Sequence, residues 1–173
     1  MTMMSEKVKR SELLATEYHL DQKRKHDFEP YINHPRRVYE TLLTIPHTES
    51  MLCAAWLHDL LEDTTCPLSK IEALDSTVAI LVTELTNVRD SSLSRKERKI
   101  ADRMRLARAS TRSKTIKLAD MLDNIPSIIT HDPEFAKVYL AEQRSLLFVL
   151  TGGNKELWDK VDRIIEDYFL ITG

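Results

Sequence analysis

The stretch Ala54-Ala55-Trp56-Leu57-His58-Asp59-Leu60-Leu61-Glu62-Asp63 sets four ionisable groups into a run that otherwise reads as core. Residues 49–62 carry the pattern of a strongly apolar helix, with Leu52, Ala55, Trp56 and Leu60 turned inward. Burying His58, Asp59, Glu62 and Asp63 there without partners would cost several kcal/mol. A divalent cation offsets such a cost, because it neutralises carboxylates and accepts imidazole nitrogen. The spacing agrees: His58 and Glu62 stand at i, i+4, as do Asp59 and Asp63, so two neighbouring ridges each offer one ligand and one acid a turn later. A lone histidine on an apolar helix is more often a satisfied core residue than a ligand. The three acids beside it turn the reading toward a metal.

The run Ile116-Lys117-Leu118-Ala119-Asp120-Met121-Leu122-Asp123-Asn124-Ile125 repeats the anomaly, with Lys117, Asp120 and Asn124 at i, i+3, i+7 on one face. Three polar groups stacked along an apolar helix want a common partner. Outward from these two runs, apolar residues at three and four spacing predict helices throughout. One covers about 5–20, followed by a loop over 21–30. The next opens with Pro35 in its first position, buries Val38, Leu42 and Leu43, and ends before Pro46. Pro67 opens a short helix to about 74, and Asp75 or Ser76 caps the next, through Val78, Leu81, Val82 and Leu85. Helices over about 95–110, 113–129, 133–150 and 154–169 complete the chain, with Gly152-Gly153 as a stop between the last two. No period-2 alternation stands between turn signals. The expected fold is all-α, a compact single domain over 1–173 built as a bundle of about 8–10 helices.

Composition narrows the function. At 173 residues, one core and one active site are expected. A net charge of −2 with 30% charged residues gives no global bias toward nucleic acid or a membrane surface, so neither is an expected partner. The only glycines are Gly152, Gly153 and Gly173, so neither a GxxxxGK[ST] loop nor a GxGxxG turn exists. Any phosphate must be held by side chains, a metal or a helix N-terminus. Cys53 and Cys66 have no CxxC partner and read as reduced, partly buried thiols. The N-terminus lacks an apolar signal region, and no run approaches the ~20 apolar residues that span a bilayer, which points to the cytoplasm. His26, His47 and His131 lie among loop signals and read as surface residues. The basic helix with Arg95, Lys96, Arg98, Lys99, Arg103, Arg105 and Arg108 reads as a solvated face, with attraction of an anionic nucleotide as its other role.

His34, the His58-Asp59 pair and Asp120 make an H…HD…D pattern, and longer strings surround it. Gln22-Lys23-Arg24-Lys25, Pro30-Tyr31-Ile32-Asn33-His34-Pro35, Leu57-His58-Asp59-Leu60-Leu61-Glu62-Asp63-Thr64 and Ile116-Lys117-Leu118-Ala119-Asp120 resemble, in this order, the hydrolase domain of the RelA/SpoT family. The strings resemble especially its stand-alone small alarmone hydrolases, within the HD superfamily of metal-dependent phosphohydrolases, over about 13–169. The resemblance implies a manganese ion, or another divalent transition metal, held by His34, His58, Asp59 and Asp120. It implies removal of the 3′-pyrophosphate from (p)ppGpp, giving GDP or GTP and pyrophosphate. Glu62 and Asp63 match the family's catalytic acidic pair, Glu62 to orient or deprotonate the attacking water and Asp63 to position it or handle the leaving-group proton. Arg24, Lys25, Lys117, Asn124 and Tyr139 match substrate-side residues, and His19 matches a histidine of unassigned role.

Some positions depart from the pattern. Met121 stands where relatives commonly carry Lys or Arg, and Asp123 where an aromatic or histidine is usual. The segment Leu85-Thr86-Asn87-Val88-Arg89-Asp90 follows its counterpart loosely, and the loop His26-Asp27-Phe28-Glu29 lacks the usual glycine. The departures at Met121 and Asp123 leave open a phosphatase of another 2′- or 3′-phosphorylated nucleotide, such as NADPH or an adenosine alarmone. A non-catalytic nucleotide-binding regulatory module is the remaining alternative, opposed by the acidic pair, for which binding alone has no use. The sequence leaves the oligomeric state open.

Overall fold

The computed structural model describes residues 4–87 and 89–172, which form ten α-helices with one isolated bridge between Lys23 and Pro30 and no strand among them. Two compact units divide the chain after Asn87. The first holds α1 (Glu6–Tyr18), α2 (Asn33–Leu43), α3 (Glu49–Leu57), α4 (Leu60–Asp63), α5 (Leu68–Leu74) and α6 (Ser76–Leu85). The second holds α7 (Arg95–Arg108), α8 (Thr111–His131), α9 (Pro133–Leu147) and α10 (Lys155–Thr172).

Short polar side chains start these helices. Ser5 and Thr48 accept from the backbone N–H three residues on, and Asp75 accepts from Thr77 and Val78. Ser94 and Glu97 form a reciprocal capping box at α7, and Asp132 caps α9 with Pro133 in its first turn.

In the first unit α3 is the centre, with α1, α2 and α6 against it and α5 against α6. Residues 51–57 of α3 are all buried, as a helix surrounded by neighbours requires. Tyr39 of α2 lies over Trp56 with ring centroids 5.4 Å apart. Cys53 and Cys66 are free and buried. In the second unit α8 packs on α9 and α10 through Leu118, Ile125, Leu140, Leu157, Val161 and Ile165, all fully buried.

Three expectations are corrected. Pro35 is the third residue of α2, not the first, because the turn Tyr31–His34 already winds the chain. Leu43 is 46% exposed, so it does not belong to the core. The helix expected over 49–62 breaks between Leu57 and Leu60. The His58 Nδ1–H donates to the Ala55 carbonyl at 2.8 Å, and Asp59 (φ −98°, ψ −5°) drifts off the helical path. Helical bonding restarts with Asp63 N donating to the Asp59 carbonyl at 2.8 Å. His58 and Asp59 thus sit at a joint, so the continuous i, i+4 ridges are replaced by a turn.

The Gly152-Gly153 stop is tightly seated. A Cβ on Gly153 would lie 2.8 Å from Leu118 Cδ1 and 3.2 Å from both the Leu150 carbonyl oxygen and the Lys114 carbonyl carbon. Two of those neighbours are backbone and cannot yield. Gly153→Ala should therefore destabilise by about 1–3 kcal/mol, more than the few tenths regained by stiffening the unfolded chain. A thermal melt several degrees lower is the expected result, and an unchanged melt would refute the packing argument. No helix of the described residues is long and apolar enough to cross a membrane.

Candidate active site

The joint after α3 aims His58 and Asp59 at the start of α2. His34 Nε2 lies 3.2 Å from His58 Nε2, and Asp59 Oδ2 lies 3.4 Å from the first and 3.1 Å from the second. The Ala55 carbonyl can only accept, so the His58 proton sits on Nδ1 and the Nε2 lone pair faces the other two donors. Backbone anchoring of one imidazole nitrogen while the other points at a shared centre is the usual support of a metal-ligating histidine. Donors about 2.1 Å from one ion stand about 3.0 Å apart at right angles and about 3.4 Å apart at tetrahedral angles. The three observed edges fall across that interval. Burial opposes ionisation of Asp59, yet the facing imidazoles of His58 and His34 outweigh it and hold the carboxyl well below its ordinary range. His34 and His58 are both buried, and with Asp120 of the second unit each presents a ligand atom of a kind that divalent cations take. The donor chemistry fits a divalent metal.

Tyr31 was in a quoted string but was assigned no role, and its hydroxyl proves central to the first unit's cluster. It lies 2.6 Å from Asp59 Oδ2 and 3.0 Å from Asp63 Oδ2. Burial and these two carboxylates push the phenol pKa far above its ordinary value, so it stays a donor. It holds the carboxylates of Asp59 and Asp63 in fixed relation. The Tyr31 ring stacks on His19 at 4.6 Å, and His19 Nδ1 meets Gln22 Oε1 at 2.7 Å. Burial depresses the His19 pKa, which favours the neutral ring. His19 thereby gains a role that the sequence left unassigned: it backs the tyrosine.

Glu62 is held separately. Asn87, just past α6, donates its backbone N–H to Glu62 Oε2 at 3.0 Å and its side-chain amide to Oε1 at 3.3 Å. Both carboxylate oxygens are aimed, and Asn87 lies within the segment that departs from the family pattern. Nothing local announces this contact, which spans 25 residues of sequence.

Arg24 is buried, with Nε 3.1 Å from Asp27 Oδ2, so part of its guanidinium anchors the loop over 24–30. Phe28 in that loop adopts φ 61°, the left-handed region that favours glycine. Lys25 is exposed on the same loop. Of the expected surface histidines, His47 and His131 are exposed and His26 half-buried.

In the second unit, Asp120 is itself the partner of the polar stripe on α8. Lys117 Nζ donates to Oδ2 and Asn124 Nδ2 to Oδ1, each at 2.6 Å. Both oxygens of this buried carboxylate are thereby held in a fixed orientation. Tyr139 of α9 is half-buried, 5.7 Å from the Phe135 ring. Met121 is fully buried in the core of this unit, so its departure from the family pattern is a matter of packing. Asp123 is half-buried.

Comparison with known proteins gives a consistent picture. A family model described as HD domain matches residues 12–156. The chain is 36% identical over 163 residues to the Drosophila melanogaster guanosine-3′,5′-bis(diphosphate) 3′-pyrophosphohydrolase MESH1, covering 88% of this chain and 89% of that one. It is 36% identical over 143 residues to a probable enzyme of the same description from Synechocystis, of whose length it spans 19%. Among solved structures, a metazoan ortholog of SpoT that hydrolyses ppGpp superposes with a TM-score of 0.88 at 32% identity, over 97% of this chain and 98% of that one.

Proposed function

The chain belongs to the HD domain family, and we propose that it is a metal-dependent 3′-pyrophosphohydrolase of (p)ppGpp, working as a single hydrolase domain in the cytoplasm. The convergence of His34 Nε2, His58 Nε2 and Asp59 Oδ2 around one point, with an anchored acid a turn away, carries this reading. Asp120 completes the ligand set as the last member of the H…HD…D pattern, and the family model runs through the residues of both units.

A divalent cation there, manganese in first place, supplies the Lewis acidity that neutralises phosphoryl charge and acidifies a water. The residues do the rest. Glu62, aimed by Asn87, takes a proton from the attacking water. The water oxygen joins the phosphorus carried on the ribose 3′ oxygen, and the bond between that phosphorus and the 3′ oxygen breaks. The 3′ oxygen takes a proton from a water positioned by the Asp63 carboxylate, which Tyr31 orients, and the proton held by Glu62 returns to the hydroxide left behind. The products are pyrophosphate and GDP, or GTP from the pentaphosphate. Arg24, Lys25 and Lys117 meet phosphate charge, and Asn124 and Tyr139 meet the nucleoside. The NADPH and adenosine-alarmone alternatives drew on Met121 and Asp123, and the burial of Met121 lends them no support.

The experiment offers ppGpp, pppGpp, ppApp and NADPH in parallel to protein loaded with manganese, following pyrophosphate and phosphate release. Release of pyrophosphate from the two guanine compounds is expected, lost on dialysis against a chelator and regained on adding manganese. Turnover confined to ppApp or NADPH, or turnover that survives complete metal removal, would overturn the proposal.

A further inference from the structure

The second unit carries a groove between α7 and α9 with a volume of about 670 Å³. Its floor is aliphatic, from Ile100, Val138 and Ala141, with Ile100 38% and Val138 53% exposed. Met104, one turn beyond Ile100 on α7 and 56% exposed, prolongs the stripe. Its walls are cationic: Lys96, Lys99 and Arg103 from α7 and Lys137 from α9, with Arg95 at one end. The one acid of the lining, Glu142, is already gripped by Arg95 through two 2.8 Å contacts. Glu97 is turned into the α7 capping box, and Lys99 stands 3.9 Å from Asp102. Lys96, Arg103 and Lys137 form no ion pair among the described residues. On a chain of net charge −2, so much uncompensated positive charge along an apolar floor is a local feature with no role in the proposed reaction.

The lining selects the class of ligand. No aromatic ring lines the groove to stack a base, and Ser145 is the one uncharged polar side chain that could read a base edge. A nucleotide is therefore poorly served. A bilayer wants a flat or convex basic face, whereas a trough between two helices is concave and matches a third helix, about 10 Å across. Aliphatic floor and cationic walls complement a helix with one apolar and one acidic face.

We propose that the α7–α9 groove is a docking site for an acidic amphipathic helix of a partner protein, seated on Ile100, Val138 and Ala141 and paired with Lys96, Lys99, Arg103 and Lys137. The interface is small, so the complex is weak, transient and salt-sensitive.

The test uses the full chain and a fluorescein-labelled synthetic peptide of about 20 residues, long enough for a stable helix, built from Leu, Ala, Gln and Glu with the leucines on one face. A scrambled peptide of the same composition is the control. Saturable fluorescence anisotropy is expected for the amphipathic peptide, weakening with added salt and at least roughly tenfold weaker for the scramble. Lys96→Glu/Arg103→Glu should weaken it roughly tenfold or more by reversing two wall charges. Val138→Asp, an exposed change that leaves the wall cations in place, should do the same, with helix content and melting unchanged in both variants. Absence of saturable binding, equal binding of the scramble, or indifference to both variants would overturn the proposal. So would a silent peptide together with ATP or phosphatidylglycerol vesicles that bind and are lost in the charge reversal, which would give the groove to those ligands instead.

Discussion

Asp59→Ala is expected to leave a folded protein that no longer retains its metal and releases pyrophosphate from ppGpp more slowly by about a thousandfold or more, the several kcal/mol that a metal supplies to phosphoryl transfer. The reason lies in the number of groups meeting at one oxygen. Asp59 Oδ2 faces the imidazoles of His34 and His58 and accepts from Tyr31. Removing it leaves His34 Nε2 and His58 Nε2 3.2 Å apart without the carboxylate that faces both, and the phenol of Tyr31 with one carboxylate instead of two. Elemental analysis after gel filtration should find metal in the wild-type protein and little in the variant. Near-normal turnover with metal retained would remove Asp59 from the ligand set.

Glu62→Gln separates the acid from the metal. The amide is close in shape to the carboxylate and can still accept the Asn87 backbone N–H, so position is largely kept and basicity is lost. Metal content should be unchanged, KM little altered, and kcat lower by about a hundred- to ten-thousandfold, the range that general acid–base catalysis contributes. A variant with near-wild-type kcat would sink the role given to Glu62. A variant that also lost its metal would place Glu62 among the ligands.

These expectations differ in how far the sequence alone could take them. That the chain is helical, that His58, Asp59, Glu62 and Asp63 form an unusual group in an apolar run, and that Asp120 lies on a buried helix with Lys117 and Asn124 were all legible, because each rests on local spacing and composition. Lys117 and Asn124 each donate to Asp120, an arrangement that i, i+3 and i, i+4 geometry makes locally available. The break after Leu57 was hidden because the apolar pattern runs straight through it. At the break the Ala55 carbonyl accepts from a side chain, His58 Nδ1.

The supports of the site were illegible for a different reason. Tyr31 reaches Asp59 across 28 residues and Asp63 across 32, and Asn87 reaches Glu62 across 25. No periodicity relates residues so far apart. Their meeting depends on how α2, α3, α4 and α6 are placed, and a tyrosine or asparagine in a loop carries no mark of it. The basic face of α7 was visible as a run of charges, but whether it was solvated or part of a site turned on which α9 residues stood opposite it.

The sequence by itself determined the class of fold, the chemistry of the donors and the family resemblance, because hydrophobic period, residue type and short motifs are properties of the chain read in order. Only the tertiary structure decided that His34 meets His58 and Asp59, that Tyr31 binds two carboxylates, that Asn87 aims Glu62 and that Met121 faces the core. Each of these is a distance or a burial between residues far apart in sequence, and folding creates it by packing side chains that no local rule connects.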